Sequence, residues 1–234
     1  MNIGLLQCDH VDESFQYIIS DYPEAFQARF ERYAPKVRLR VYDVCHGELP
    51  QRVDECDGYI TTGSRYSVYD DVPWIHNLVD FVRRVDLEQH KLVGICFGHQ
   101  MIAHALGGSV TKAPNGWGVG VKEVHLNQAY PWMQPETDSY RLLFMHQDQV
   151  RKLPPGAELI GSSDHCPVAM FTVGSHLLGV QAHPEFSKSY VEALMDSRIV
   201  RIGAEPIAAA RQTMPSPTDE EVMTQWIAGF FESA

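Results

Sequence analysis

Residues 93–100 read Val-Gly-Ile-Cys-Phe-Gly-His-Gln. Leu92 to Ile95 form a short apolar run with the character of a buried strand, and Gly98 to Leu106 read as a helix that Gly107 and Gly108 stop. At the junction stands Gly94-x-Cys96-x-Gly98, a strand-to-helix elbow. Such a turn is sharp enough to lift its central side chain out of the sheet, and it leaves room only for small neighbours. The helix N-terminus beneath Cys96 favours negative charge and therefore a thiolate. The N–H of Phe97 points where an oxyanion would form. The same residues also fit a buried cysteine in an ordinary tight turn, so the elbow has to be read with the rest of the chain.

Outward from the elbow the first half alternates strand and helix. Ile3 to Cys8 reads as a strand, Pro23 to Tyr33 as a helix with proline near its start, and Val37 to Tyr42 as a strand. Asp57 to Thr62 is a short strand ending in Thr-Thr-Gly-Ser, and Trp74 to Leu87 carries Ile75, Leu78, Val79 and Val82 at helical spacing. This alternation predicts an α/β fold with a central, mostly parallel sheet covered by helices on both faces. The second half is richer in strands, at 118–126, 140–145, 158–161, 168–172 and 177–181. A helix follows at about 187–201, the breaker-rich Thr213–Thr218 makes a connection, and a last helix spans about 219–231. No internal repeat or low-complexity tract is present. A single domain over 1–234 is expected, with a C-terminal helical extension from about residue 204.

The chain has 234 residues, a hydrophobic fraction of 44% and a formal net charge of −11. That charge repels phosphate backbones and anionic lipid, which argues against nucleic acid or a membrane as partner. The five cysteines, Cys8, Cys45, Cys56, Cys96 and Cys166, are odd in number and contain no Cys-x-x-Cys pair. Zinc ribbons and thioredoxin-type chemistry thus lack a basis. The N-terminus has no basic region before an apolar run, and no apolar stretch approaches the ~20 residues of a membrane span. A reduced, cytoplasmic protein with free thiols is expected. His10, His46, His76, His90, His99 and His104 follow no metal-ligand spacing, so no metal and no organic cofactor is expected.

Residues 179–186 read Gly-Val-Gln-Ala-His-Pro-Glu-Phe. A strand ends there and presents His183, with Glu185 two positions on. A histidine beside a thiolate can carry the proton from nucleophile to leaving amine, and a carboxylate on its other ring nitrogen fixes the tautomer and stabilises the imidazolium. Taken alone, His183 reads rather as a capping histidine at a strand end and Glu185 as a solvated first-turn residue of the next helix.

Taken together, in this order and at this separation, GICFGHQ and GVQAHPEF resemble the class I glutamine amidotransferases. The resemblance runs from Asp57 to about Tyr190. It implies the flavodoxin-like amidotransferase fold, with Cys96 as nucleophile, His183 as base and Glu185 orienting that base. It also implies backbone oxyanion donors at Gly63, in the Thr-Thr-Gly-Ser turn, and at Phe97. Gln100 matches a position that contacts bound glutamine. Met145-His146-Gln147-Asp148 resembles a Ser-His-Gly-Asp segment whose backbone holds the substrate's α-amino and α-carboxylate groups, so His146 and Gln147 are candidate substrate contacts. Met145 and Gln147 depart from that pattern, and His146 is otherwise a simple strand-end histidine. The nearest subgroup in look is the free-standing glutaminase part of GMP synthase, with plant-type γ-glutamyl peptidases in the same neighbourhood. By the same resemblance Arg65 and Tyr66 sit either at the pocket mouth or on a plain surface turn.

The resemblance implies cleavage of the γ-amide of glutamine through a thioester, with release of glutamate and with ammonia handed to a separate synthetase subunit. The alternative is a self-sufficient hydrolase of larger γ-glutamyl amides, and a third is a non-catalytic relative. The Cys-His-Glu set speaks against the third. No phosphate-binding Gly-x-x-x-x-Gly-Lys loop is present, so the chain carries the amide-cleaving chemistry only.

Overall fold

The structure is a computed structural model that describes residues 1–233. Along the chain run β1 (Asn2–Gln7), α1 (Gln16–Ile19), α2 (Tyr22–Tyr33), β2 (Arg38–Asp43), β3 (Gly58–Thr61), α3 (Pro73–Leu87), β4 (Leu92–Ile95), α4 (Phe97–Ala105), β5 (Ser109–Lys112) and β6 (Gly118–Leu126). These are followed by β7 (Ser139–His146), β8 (Asp148–Lys152), β9 (Ala157–Ser162), β10 (Met170–Val173), β11 (Leu177–Val180), α5 (Lys188–Ser197), α6 (Ile199–Ile202), α7 (Ala204–Thr213) and α8 (Glu220–Glu232).

Nine strands form one sheet in the order β2-β1-β3-β4-β11-β10-β9-β6-β7. The first five pair in parallel, and each later neighbour pairs antiparallel. Because successive reversals cancel, β9 and β7 point the same way as the parallel strands, and only β10 and β6 oppose them. The expected mostly parallel sheet flanked by helices is therefore what the chain forms.

Local sequence explains the elements that matter for the site. In β4, Leu92, Val93 and Ile95 are all fully buried, as a central parallel strand covered on both faces requires. Burying each such side chain stabilises the fold by about 1.5–3 kcal/mol. Asp21 caps α2 in a capping box with Glu24, and Pro23 occupies an early position where its missing N–H does no harm. Pro73 opens α3, whose Ile75, Leu78, Val82 and Val85 stripe faces the sheet. One face of the sheet is packed by α3 and α4 through Phe81, Trp74 and Met101, and the other by α2 and α8 through Phe26, Phe30, Trp226 and Phe230.

The structure adds a separate two-stranded ribbon, β5–β8, and a distinct helix α7 within the C-terminal helical segment. The ribbon is hard to read from sequence because each strand is short and mostly polar. A single buried pair, Val110 opposite Val150, fixes its register. Among the described residues no helix is long and apolar enough to cross a membrane.

Candidate active site

The elbow has the geometry its glycines foretold. Cys96 holds φ +49° and ψ −95°, a conformation non-glycine residues rarely adopt and one that costs of order 1–3 kcal/mol. It is held there from both sides, because its N–H donates to Val180 O at 2.8 Å and its carbonyl accepts from Gln100 N at 3.1 Å. A Cβ on Gly94 would lie 2.4 Å from the Gly98 carbonyl, and a Cβ on Gly98 would lie 1.6 Å from Thr61 Oγ1. Thr61 Oγ1 in turn accepts the Ile95 N–H at 3.2 Å, which locks β3 to β4 directly beneath Cys96.

β11 pairs with β4 on the other side, and its end delivers His183. Glu185 Oε1 lies 2.7 Å from His183 Nδ1, with both side chains buried. Glu185 Oε2 has no partner among the described residues, so the hydrogen bonding of the carboxylate falls on this one imidazole. The ring stacks flat on Phe186 at 3.8 Å, and the His183 backbone N–H donates to Leu143 O at 2.9 Å. From α2, the Arg29 guanidinium donates to the carbonyls of Pro184 and Phe186, both at 3.0 Å, and clamps the His-Pro-Glu-Phe turn. Burial alone would pull the His183 pKa down. The negative charge of Glu185, and then that of Cys96, outweighs this and raises it to about 10.

Gly63 completes the grouping from the end of β3. A Cβ there would come within 2.8 Å of His183 Cε1 and 3.6 Å of Cys96 Cβ, so only glycine allows the loop to approach this closely. Among the described residues neither the Gly63 nor the Phe97 N–H donates to another protein atom. Both are left for an acceptor beside Cys96, the arrangement that stabilises a developing oxyanion.

The cleft in front of Cys96 is lined by Arg65, Tyr66, Phe97, Gln100, Met145, His146 and Gln147, so the sequence-derived substrate candidates do converge on it. Their roles differ. Gln100 is buried, and its amide nitrogen donates to Asp148 O at 2.9 Å and Gln181 Oε1 at 3.1 Å, which leaves only its carbonyl oxygen for a ligand. His146 directs Nδ1 to Asp148 O at 3.0 Å. Its Nε2 has no partner among the described residues and lies beside Gly118. Burial lowers its pKa to about 3, so it is neutral. Arg65 does reach the mouth, but its guanidinium pairs with Asp9 at 2.9 Å and donates to His10 O. Tyr66 packs edge-on against Trp74.

Sequence reading missed the other side of the mouth. Lys112 from the β5–β8 ribbon and Arg198 and Arg201 around α6 line the same cleft, with Arg201 over the Trp117 ring at 5.0 Å. None of the three cations has a salt-bridge partner among the described residues. No motif neighbours them in sequence, and the ribbon that brings Lys112 inward was itself not legible. The loop after β3 is tied to the β7–β8 turn by Ser67 Oγ and the Tyr69 hydroxyl, which donate to the Asp148 carboxylate at 2.5 and 3.1 Å.

Residues 18–199 match the family "Glutamine amidotransferase class-I". Gamma-glutamyl peptidase 3 of Arabidopsis thaliana is 29% identical over 79% of this chain and 78% of its own length. One of the subunits of the glutamine-hydrolysing GMP synthase of Sulfurisphaera tokodaii is 36% identical over 55% of this chain and 67% of its own. Among solved structures, a glutamine amidotransferase from Thermotoga maritima superposes with a TM-score of 0.78 over 99% of both chains at 19% identity, a likeness of fold. With the match covering most of its length, the chain belongs to the class I glutamine amidotransferase family.

Proposed function

We propose that the protein is a cysteine-dependent hydrolase of γ-glutamyl amides. The observation that carries this reading is the meeting, at the ends of three neighbouring strands, of Cys96 on a strained elbow, the buried His183–Glu185 pair and two free amide N–H groups. The Cys96 thiolate attacks the γ-carbonyl, and the Gly63 and Phe97 N–H groups hold the oxyanion. One such donor is worth about 3–4 kcal/mol of transition-state stabilisation. His183 gives its proton to the departing amine and leaves the acyl group on Cys96 as a thioester. Neutral His183 then takes a proton from water, which attacks the thioester and releases glutamate. The backbone around His146 and Gln147 holds the α-amino and α-carboxylate groups, above a floor set by Gln100.

The leaving group separates two versions of this reaction. The open, cation-bearing mouth at Lys112, Arg198 and Arg201 favours a leaving group larger than ammonia, as does likeness to proteins named γ-glutamyl peptidases. Likeness to a component of GMP synthase favours free glutamine, with ammonia passed to a synthetase partner. The deciding measurement is kcat/KM for glutamine against that for a γ-glutamyl peptide, using the isolated chain. Slow glutamine hydrolysis with measurable peptide cleavage is expected. Fast glutamine turnover with no peptide cleavage would remove the peptidase version, and activity appearing only with an added synthetase would establish the partner-dependent one.

The buried pair makes a pH prediction. His183 must be protonated to expel the amine, and with its pKa raised to about 10 it remains so through neutral pH. The rate of the acylation step, in which the amine is expelled, therefore falls on the alkaline side as pH rises towards that value. Removing the carboxylate charge in Glu185→Gln takes away the largest raising influence. The alkaline limb should move down by about one unit or more, towards ordinary histidine. The same variant should cost less rate than His183→Ala, because a neutral amide can still accept the Nδ1 hydrogen bond although it stabilises the imidazolium poorly. Equal loss in the two variants, with an unmoved alkaline limb, would contradict the assigned role.

A further inference from the structure

A second cluster of reactive side chains lies at the same end of the sheet, two strands from the elbow. β1 and β2 pair in parallel with Gln7 opposite Asp43, so the segments leaving both strands emerge together. The first carries His10. The second turns through a short 3-10 segment, Val44–His46, closed by Gly47 at φ +95°. The ligating atoms of His10, Asp43, Cys45 and His46 all lie within 4.8 Å of one another.

We propose that these four residues form a zinc site. Three of them already converge on the fourth. His10 Nε2 is 3.2 Å from both Asp43 oxygens, His46 Nδ1 is 2.9 Å from Oδ2, and Cys45 Sγ donates to Oδ1 at 3.3 Å. Two imidazole nitrogens, one sulfur and one carboxylate oxygen are a borderline-soft, four-ligand set. That set suits Zn2+, whereas Mg2+ and Ca2+ take oxygen ligands. A tetrahedral zinc ion with bonds of about 2.0–2.3 Å spaces its ligands roughly 3.3–3.8 Å apart, which this cluster reaches by side-chain movements of about 1 Å. Binding replaces the Cys45 thiol proton, which leaves to solvent. Thiolate and Asp43 carboxylate then neutralise the ion's two charges while both histidines bind as neutral ligands.

The surroundings support the site in a way a chance surface grouping would not. His10 Nδ1 lies 2.7 Å from Asp21 Oδ2, the carboxylate–histidine arrangement that fixes the tautomer and presents Nε2 to a metal. Asp21 is itself immobilised, accepting from Val11 N, Tyr22 N and Gln7 Nε2, each at 2.8 Å. His46 is exposed and the other three ligands are half-buried, so an ion can enter from solvent. His10 and His46 lie too far apart in sequence for ligand spacing to reveal the grouping; it is the parallel pairing of β1 and β2 that brings them together.

The test uses the full chain carrying Cys96→Ala, so that the elbow thiol contributes no competing site. Calorimetric titration with Zn2+ should give one ion per chain. Titration with Co2+ should give the near-ultraviolet thiolate-to-metal charge-transfer band. Cys45→Ser should abolish that band, His46→Ala should weaken Zn2+ binding at least about tenfold, and Asp21→Asn should weaken it by about tenfold. Circular dichroism would verify that each variant is folded. Failure to bind Zn2+ at micromolar concentration would overturn the proposal and leave His10 as a histidine held between Asp21 and Asp43. A band and affinity unchanged in both Cys45→Ser and His46→Ala would overturn it equally.

Discussion

Cys96→Ala is expected to lower turnover of any γ-glutamyl substrate by about four orders of magnitude or more, equivalent to ~5 kcal/mol of transition-state stabilisation, while leaving the thermal midpoint nearly unchanged. No other side chain in the cleft can form the thioester. The remaining thiols are poorly placed to substitute. Cys8 and Cys166 are fully buried, and burial raises both thiol pKa values, that of Cys166 to about 12. Cys56 is also buried with a raised pKa, and Cys45 keeps its proton against Asp43. A glutamine-like electrophile should therefore label Cys96 alone, and alanine at the other four positions should leave most activity in place. Labelling that centres on Cys166, or a Cys96→Ala chain that still turns over, would sink the proposed mechanism.

The second large effect is structural. Gly98→Ala places a methyl group 1.6 Å from Thr61 Oγ1 and 2.8 Å from Thr61 Cβ. Thr61 is fully buried and cannot swing away without abandoning the Ile95 N–H. The variant faces overpacking of about 1–3 kcal/mol, and if Thr61 yields, a further ~1–3 kcal/mol for a buried unsatisfied donor. A combined loss of about 3–5 kcal/mol corresponds to a fall in Tm of ~10 °C for a domain of this size. Thr61→Ala in the same chain should recover part of the Gly98→Ala loss, since it removes the obstructing side chain. Strict additivity of the two changes, or a Gly98→Ala protein melting with the parent, would show that the elbow is looser than its contacts imply.

What the sequence revealed and what it hid follow from one distinction. The elbow is readable because it is local, whereas the His-Pro-Glu turn and the Gly63 loop take their roles from the resemblance to the family, since their own residues fit an ordinary strand end and turn equally well or better. Glycines at fixed offsets report steric exclusion, and apolar runs report strands buried on both faces. Leu92–Ile95, buried on both faces, was therefore placed to the residue, and so was the partly polar Gly118–Leu126. Lys112, Arg198 and Arg201 were not legible, because their arrival at the cleft depends on a polar ribbon and a short helix whose positions are set by tertiary packing. The sequence left Arg65 open between the mouth and a surface turn, and it did not reveal the pairing with Asp9, since Asp9 reaches it across the β1–β3 pairing. Gln100 was foreseen as a ligand contact, yet its amide nitrogen is spent on Asp148 and Gln181, partners far from it along the chain.

The strand order carries a last consequence. The three groups assigned to bond cleavage come from β3, β4 and β11, which are adjacent at the centre of the sheet, whereas the unpaired cations at the mouth come from the separate β5–β8 ribbon and from around helix α6. Reactivity and selectivity thus occupy different mechanical tiers. Central strands open to solvent only with the whole domain, while peripheral ribbons and short helices open locally at much lower cost. Amide protons of residues 92–95 and 177–180 should outlast those of residues 109–112 and 199–203 by orders of magnitude in exchange. Drift in substrate preference can then accumulate on the outer tier without disturbing the inner one.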